Sequence, residues 1–161
     1  MDIGRLRNKE DMELLPEDRE RLIRYVDFME SELSDFSKFL KIDWKTYNKD
    51  RDTRRNLERW IENIVNSSID IAKVILALED RGIPSSYKGM LKELGATQHF
   101  DEAFGENISQ WASLRNILAH EYLDIRWRPV KQFIQTAEPV YRQLVNTIKL
   151  FLNPPSQEKL E

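Results

Sequence analysis

Apolar residues return every three or four positions through most of this chain, and that rhythm leaves it essentially one way to bury them. Leu22, Val26, Met29, Leu33, Phe36 and Leu40 lie on one stripe of a helix. Pro16 and Glu17 suit its first turn, because proline needs no amide partner there and an acid complements the positive helix end. After a polar connector around Lys41 to Asp50, a second stripe runs through Leu57, Trp60, Ile61, Ile64, Val65, Ser68, Ala72, Ile75 and Leu78, and Arg81, Gly82 and Pro84 stop it. A short third helix follows, capped by Ser85 or Ser86, with Tyr87, Met90, Leu91 and Leu94 on its apolar side and Gly95 at its end. The fourth carries Phe104, Ile108, Trp111, Leu114 and Leu118, with Gly105 expected to interrupt its early part. The last runs through Val130, Ile134, Ala137, Tyr141, Leu144, Ile148 and Phe151. It should kink at Pro139, and Asn153, Pro154 and Pro155 end it.

No strand-like alternation or hairpin dipeptide competes with these segments, so the expected fold is an all-α, single-domain bundle over 1–161. It should have four long helices and one short one. The leader 1–14 and the tail 153–161 are expected to be loose. A 161-residue chain that is 40% hydrophobic supports one sizeable core and is short for two. Trp60 and Trp111 read as core filler. Trp44 and Trp127 sit beside bases in less periodic surroundings and read as rim packing, with base stacking as the alternative. No cysteine and only two histidines, His99 and His120, leave no expected metal site and no cofactor. No window approaches the roughly 20 apolar residues of a membrane span, so a cytoplasmic protein with no membrane partner is expected.

The net charge of −3 conceals a split along the chain. Residues 1–37 carry eleven acids against six bases, whereas 38–59 carry eight bases against four acids. Phosphate binding needs local cations rather than a basic average. Arg51, Arg54 and Arg55 are therefore candidate RNA contacts, with a solvated, salt-bridged helix start as the alternative.

Chemistry concentrates at the end of the fourth helix, in Arg115-Asn116-Ile117-Leu118-Ala119-His120-Glu121-Tyr122. On an ideal helix Asn116 and His120 share a face, but Arg115 and His120 point about 140° apart. They converge only if the helix unwinds near 119–122 or if a second copy meets the first across a two-fold axis through the motif helix. Arginine plus histidine is a minimal kit for cleaving RNA through its own 2′-hydroxyl. The imidazole moves a proton and the guanidinium stabilises charge on the phosphoryl oxygens. The alternative is structural, since a histidine at a helix end also caps it.

Arg-Asn, three residues, then His, one residue and Tyr, at a helix end of a small all-α chain, resembles the signature of the HEPN superfamily, and within it the HepT-like toxins. The layout from about 55 to 152 is similar to that family as well. The resemblance implies a homodimeric, metal-independent endoribonuclease. Arg115, Asn116 and His120 would be catalytic, and Tyr122 would be the acceptor of AMP groups. Its RNA substrate would be joined by a second partner, a nucleotidyltransferase-fold antitoxin. Inactive binding modules that accompany nucleotidyltransferases are the alternative within the same superfamily.

Overall fold

The computed structural model describes residues 14–120 and 127–155, and these form eight α-helices and no strand. In chain order they are α1 (Pro16–Leu33), α2 (Phe36–Phe39), α3 (Trp44–Lys49), α4 (Arg51–Leu78), α5 (Tyr87–Glu93), α6 (Glu102–Ala119), α7 (Trp127–Thr136) and α8 (Glu138–Leu152), with a 3₁₀ turn at Leu94–Ala96 after α5. The expected all-α bundle is present, divided more finely than five segments. The leader and tail end that the sequence leaves loose, and Tyr122, lie at least partly outside the described residues.

The first stripe is buried as expected through Phe36, but Leu40 is exposed and Phe39 is buried in its place. The cause is a break at Ser34 and Asp35 between α1 and α2. Two carbonyls at the break accept from side chains of other helices, Glu32 O in addition to the Asp35 amide at 3.1 Å. The Trp60 indole donates to Glu32 O at 2.7 Å and the Arg142 guanidinium to Leu33 O at 3.3 Å. Restarting the helix after the break rotates the stripe by about one position.

The connector at 41–50 also contains a helix, α3. Asp43 caps it by accepting from the Thr46 amide at 2.8 Å. One residue after α3, Asp50 caps α4, accepting from the Asp52 and Thr53 amides and from the Thr53 hydroxyl at 2.8 Å. Both carboxyls are held below the usual carboxylate range, Asp43 chiefly by the Thr46 amide and Asp50 chiefly by the Thr53 hydroxyl. Their lowered values mean that what they add to stability is complete above the ordinary range and is lost as pH falls through the folded-state values.

Helix α4 is the axle of the bundle, 28 residues or about 42 Å long. Leu57, Ile61, Ile64, Val65, Ile71 and Ala72 are fully buried along it. Its end is marked by Asp80 at φ 51°, while Gly82 has no positive φ. Asp80 thus takes the left-handed position that the sequence offered to glycine, which short polar side chains tolerate. The final stripe bends near Pro139 as expected, with Ala137 still αR and its amide on the Phe133 carbonyl at 2.9 Å. Pro139 lacks an amide hydrogen and its ring crowds the preceding turn, so the helix bends at the buried Ala137 and Pro139 stands in the first turn of α8.

Gly105 does not interrupt α6, which is continuous. A Cβ there would lie 2.5 Å from the Lys92 carbonyl oxygen and 3.0 Å from Gly95 Cα, so the glycine lets α6 touch the end of α5. Gly105→Ala should therefore lower stability by about 1–3 kcal/mol through overpacking, seen as a reduced melting temperature. Gly82→Ala is the control. Nothing stands within 4 Å of a Cβ there and its φ is not positive, so its melting temperature should hold or rise. Equal melting temperatures for the two variants would contradict the packing argument.

Candidate active site

Clamped at its start by the glycine contact and by the Asp101 cap, which accepts from the Phe104 amide at 2.8 Å, α6 runs antiparallel to α4. The pairing is seen where Gln98 meets Glu79 near one end and Arg115 meets Asn66 further along. Trp111, Leu114 and Leu118 bury one side of the helix, which turns Arg115 toward α4 and leaves Asn116 and His120 exposed.

Arg115 is half-buried and held from two sides. Its Nε donates to Asn66 Oδ1 at 3.1 Å. Its guanidinium carbon lies 5.0 Å from the centre of the Tyr87 ring. Spending Nε on Asn66 leaves the two terminal Nη groups, the fork that suits a phosphate, without a described partner. Lys73 Nζ also approaches the Tyr87 ring, at 5.9 Å, and adds a second cation to the neighbourhood.

His120 is the residue at which α6 ends. Its amide still donates to the Ile117 carbonyl at 3.1 Å, but its φ of −106° and ψ of 73° have left the helix. His120 thus stands at the start of the stretch, 119–122, where the sequence allowed the helix to unwind. The two residues are five apart, or about 7.5 Å of helix rise. Tyr122 lies outside the described residues. Among the described residues no three His, Asp or Glu side chains are grouped to hold a metal ion. Among them, too, no helix is long and apolar enough to cross a membrane.

Arg51, Arg54 and Arg55 lie in the first turns of α4. Arg54 precedes Asn66 by 12 residues, about 18 Å of helix, so these arginines are not part of the Arg115 cluster. Sequence reasoning missed Asn66 and misplaced Tyr87, which is exposed at the start of α5 instead of packing in the core. A signal existed for Asn66. It is a half-buried amide inside an aliphatic stripe, with Asp70 and Lys73 four and seven residues beyond it on the same side of α4.

Residues 29–148 match the protein family described as Ribonuclease HepT-like. No curated protein sequence matches the chain. Several solved structures share its fold. A tri-AMPylated HEPN toxin of Shewanella oneidensis, in complex with MNT antitoxin, is 19% identical with a TM-score of 0.70, over 80% of this chain and 96% of that one. A toxin–antitoxin structure with AMP-PNP is 18% identical with a TM-score of 0.72, over 81% and 98%. A cytosolic protein of unknown function from Bacillus subtilis, YutE, is 18% identical with a TM-score of 0.71, over 84% and 90%. At these identities the likeness establishes the shared architecture. The sequence match spans most of the chain and includes the whole arginine–histidine motif, and on that ground the chain belongs to the ribonuclease HepT-like family.

Proposed function

We propose that this chain is the toxin of a toxin–antitoxin pair and acts as a metal-independent endoribonuclease. The observation that carries the reading is the guanidinium of Arg115. It is oriented by Asn66 and Tyr87, with its Nη fork left over, five residues before an exposed histidine at a helix end. In the reaction the RNA 2′-oxygen attacks the adjacent phosphorus, the 5′-oxygen leaves, and a 2′,3′-cyclic phosphate remains. One imidazole accepts the 2′-proton and an imidazole returns a proton to the 5′-oxygen. Arg115 meets the charge that builds on the phosphoryl oxygens, and Asn116 orients the imidazole or the phosphate. A homodimer joined through the motif helix supplies two such histidines to one cleft.

Regulation follows the same chemistry. The structurally similar toxins are described in complexes with their antitoxins, and one of them is tri-AMPylated. In this chain Tyr122, two residues after His120, is the proposed acceptor, and a nucleotidyltransferase-fold antitoxin the donor's enzyme. An added phosphate would occupy the ground of the RNA phosphate and repel it.

The test uses purified full-length protein. RNA should be cut in the presence of EDTA to give 2′,3′-cyclic phosphate ends, and light scattering should report about twice the 19.2 kDa chain mass. Co-expression with the nucleotidyltransferase should add one or more AMP masses to the Tyr122 peptide. Cleavage only with added divalent metal would overturn the mechanism, and an active monomer would overturn the composite site. A fully folded dimer that cuts no RNA leaves the binding-module alternative.

A further inference from the structure

α3 and α7 border an open cavity of about 240 Å³. Its walls include Leu40, Trp44, Trp127, Lys131 and Gln135. That volume lies below the roughly 300–1,000 Å³ of pockets for drug-sized ligands and suits a group of about one heterocycle. Trp44 is 51% exposed, unusual for so large an apolar side chain, and it is not loosely attached. Its ring centre is 6.2 Å from Trp127 and 6.2 Å from Tyr47, and Tyr47 is itself 5.0 Å from Trp127. The buried Tyr47 hydroxyl donates to Glu58 of α4 at 2.7 Å, which anchors the three rings to the central helix. The outcome is an anchored indole, half exposed, that borders the cavity.

The surroundings select what that ring takes. Lys131 lines the cavity, and Lys41, Lys45 and Arg128, each next in sequence to a lining residue, are exposed. The acid in its wall, Asp43, is engaged as the cap of α3. Gln135 brings an amide that both donates and accepts, as the edge of a nucleobase requires. A flat ring, a polar edge and a flanking phosphate together describe a nucleotide of a single strand. Trp127 follows His120 by seven residues, so the two are joined by at most about 25 Å of chain. One strand can therefore reach both. We propose that the Trp44–Trp127–Lys131 cavity is a base-binding subsite for single-stranded RNA, in which an unpaired base stacks on the exposed ring of Trp44 and a neighbouring phosphate pairs with Lys131. This rests on the ribonuclease reading, and it accounts for how a protein of net charge −3 holds RNA: by stacking and a local cluster of cations.

The test measures binding apart from cleavage. Full-length protein carrying His120→Ala is titrated with a 12-nucleotide unstructured RNA, with affinity read by anisotropy of the labelled RNA and contact by tryptophan quenching. Adding Trp44→Ala should weaken binding roughly ten- to a hundred-fold and remove much of the quenching. Trp44→Phe, which keeps an aromatic face, should recover most of the affinity. Lys131→Ala should reduce the slope of log affinity against log salt by about one. Circular dichroism of each variant confirms the fold, and the phenylalanine variant serves if the alanine one is unstable. Unchanged affinity in Trp44→Ala overturns the subsite even if the wild type cleaves RNA. Loss of affinity in Trp44→Ala sustains it even if cleavage proves to need a different catalytic group. If Trp44→Ala instead releases only a protein partner and leaves RNA affinity intact, the cavity is a protein-docking site and the proposal fails.

Discussion

Replacing His120 or Arg115 by alanine should reduce RNA cleavage roughly 10²- to 10⁴-fold, the usual scale for a proton-transfer group or an oxyanion-stabilising donor. Growth inhibition should disappear with it. The two variants differ in what else they disturb. His120 is exposed at the end of α6, so its loss should leave the melting temperature close to that of the parent. Arg115 is half-buried, hydrogen-bonded to Asn66 and stacked near Tyr87, so alanine there also costs stability, about 1–2 kcal/mol. Arg115→Lys separates the effects. It keeps a cation over Tyr87 but loses the fork, and it should remain folded while cutting poorly. Asn66→Ala should lower kcat by up to about 10²-fold through misplacement of the guanidinium, with a smaller change in KM. If His120→Ala cuts RNA and inhibits growth like the parent, His120 is not the proton carrier and the mechanism falls.

The largest stability effect is expected at Phe133. Its ring is fully buried and meets Phe36 at 5.8 Å, Trp60 at 5.7 Å, Trp111 at 5.1 Å and Tyr141 at 5.8 Å. Those partners belong to α2, α4, α6 and α8, so one side chain of α7 joins five helices. Phe133→Ala should cost about 3–5 kcal/mol from lost transfer energy and the cavity left behind. For a chain of this size that is a fall of about 6–20 °C in melting temperature. Tyr141→Phe, beside it, should behave in the opposite way. Burial pushes the Tyr141 hydroxyl far above its ordinary pKa, and it lacks a hydrogen bond of good geometry. It faces Ser68, which gives its own proton to the Val65 carbonyl at 2.6 Å and can only accept from Tyr141, yet no bond of good geometry forms between them. Removing an unsatisfied buried hydroxyl should leave stability unchanged or raise it. A Phe133→Ala protein that melts within two or three degrees of the parent would show that the aromatic hub is not the keystone of the core.

The helices that were legible in the sequence are those long enough to draw a stripe. Leu22 through Phe36, Leu57 through Ile75 and Val130 through Ile148 each repeat the period several times, and the structure buries almost all of them. What stayed hidden was decided by partners distant in the chain. Ser34 and Asp35 carry no strong breaker signal, and the carbonyls at the break accept from Trp60 and Arg142, which lie far along the chain. Helix α3 has six residues, too few for a periodic signal. Gly105 has the local mark of a weak point and becomes a contact point because Gly95 lies opposite it. The candidate site divides in the same way. Arg115, Asn116 and His120 stand in one short run and can be found by eye, whereas Asn66 lies 49 residues from Arg115 and Tyr87 lies on another helix.

The unbroken length of α4 has a consequence for how a substrate is measured. Arg54 and Asn66 belong to one rigid rod, which sets about 18 Å between the basic start and the guanidinium that Asn66 holds. At about 3.4 Å of stacked strand per nucleotide, that is a footprint of roughly five nucleotides. A rod cannot shorten to accommodate a smaller ligand. If the ribonuclease reading holds and Arg51, Arg54 and Arg55 are RNA contacts, single-stranded RNAs of about five nucleotides or more should bind more tightly than shorter ones, a length threshold that a titration series would show.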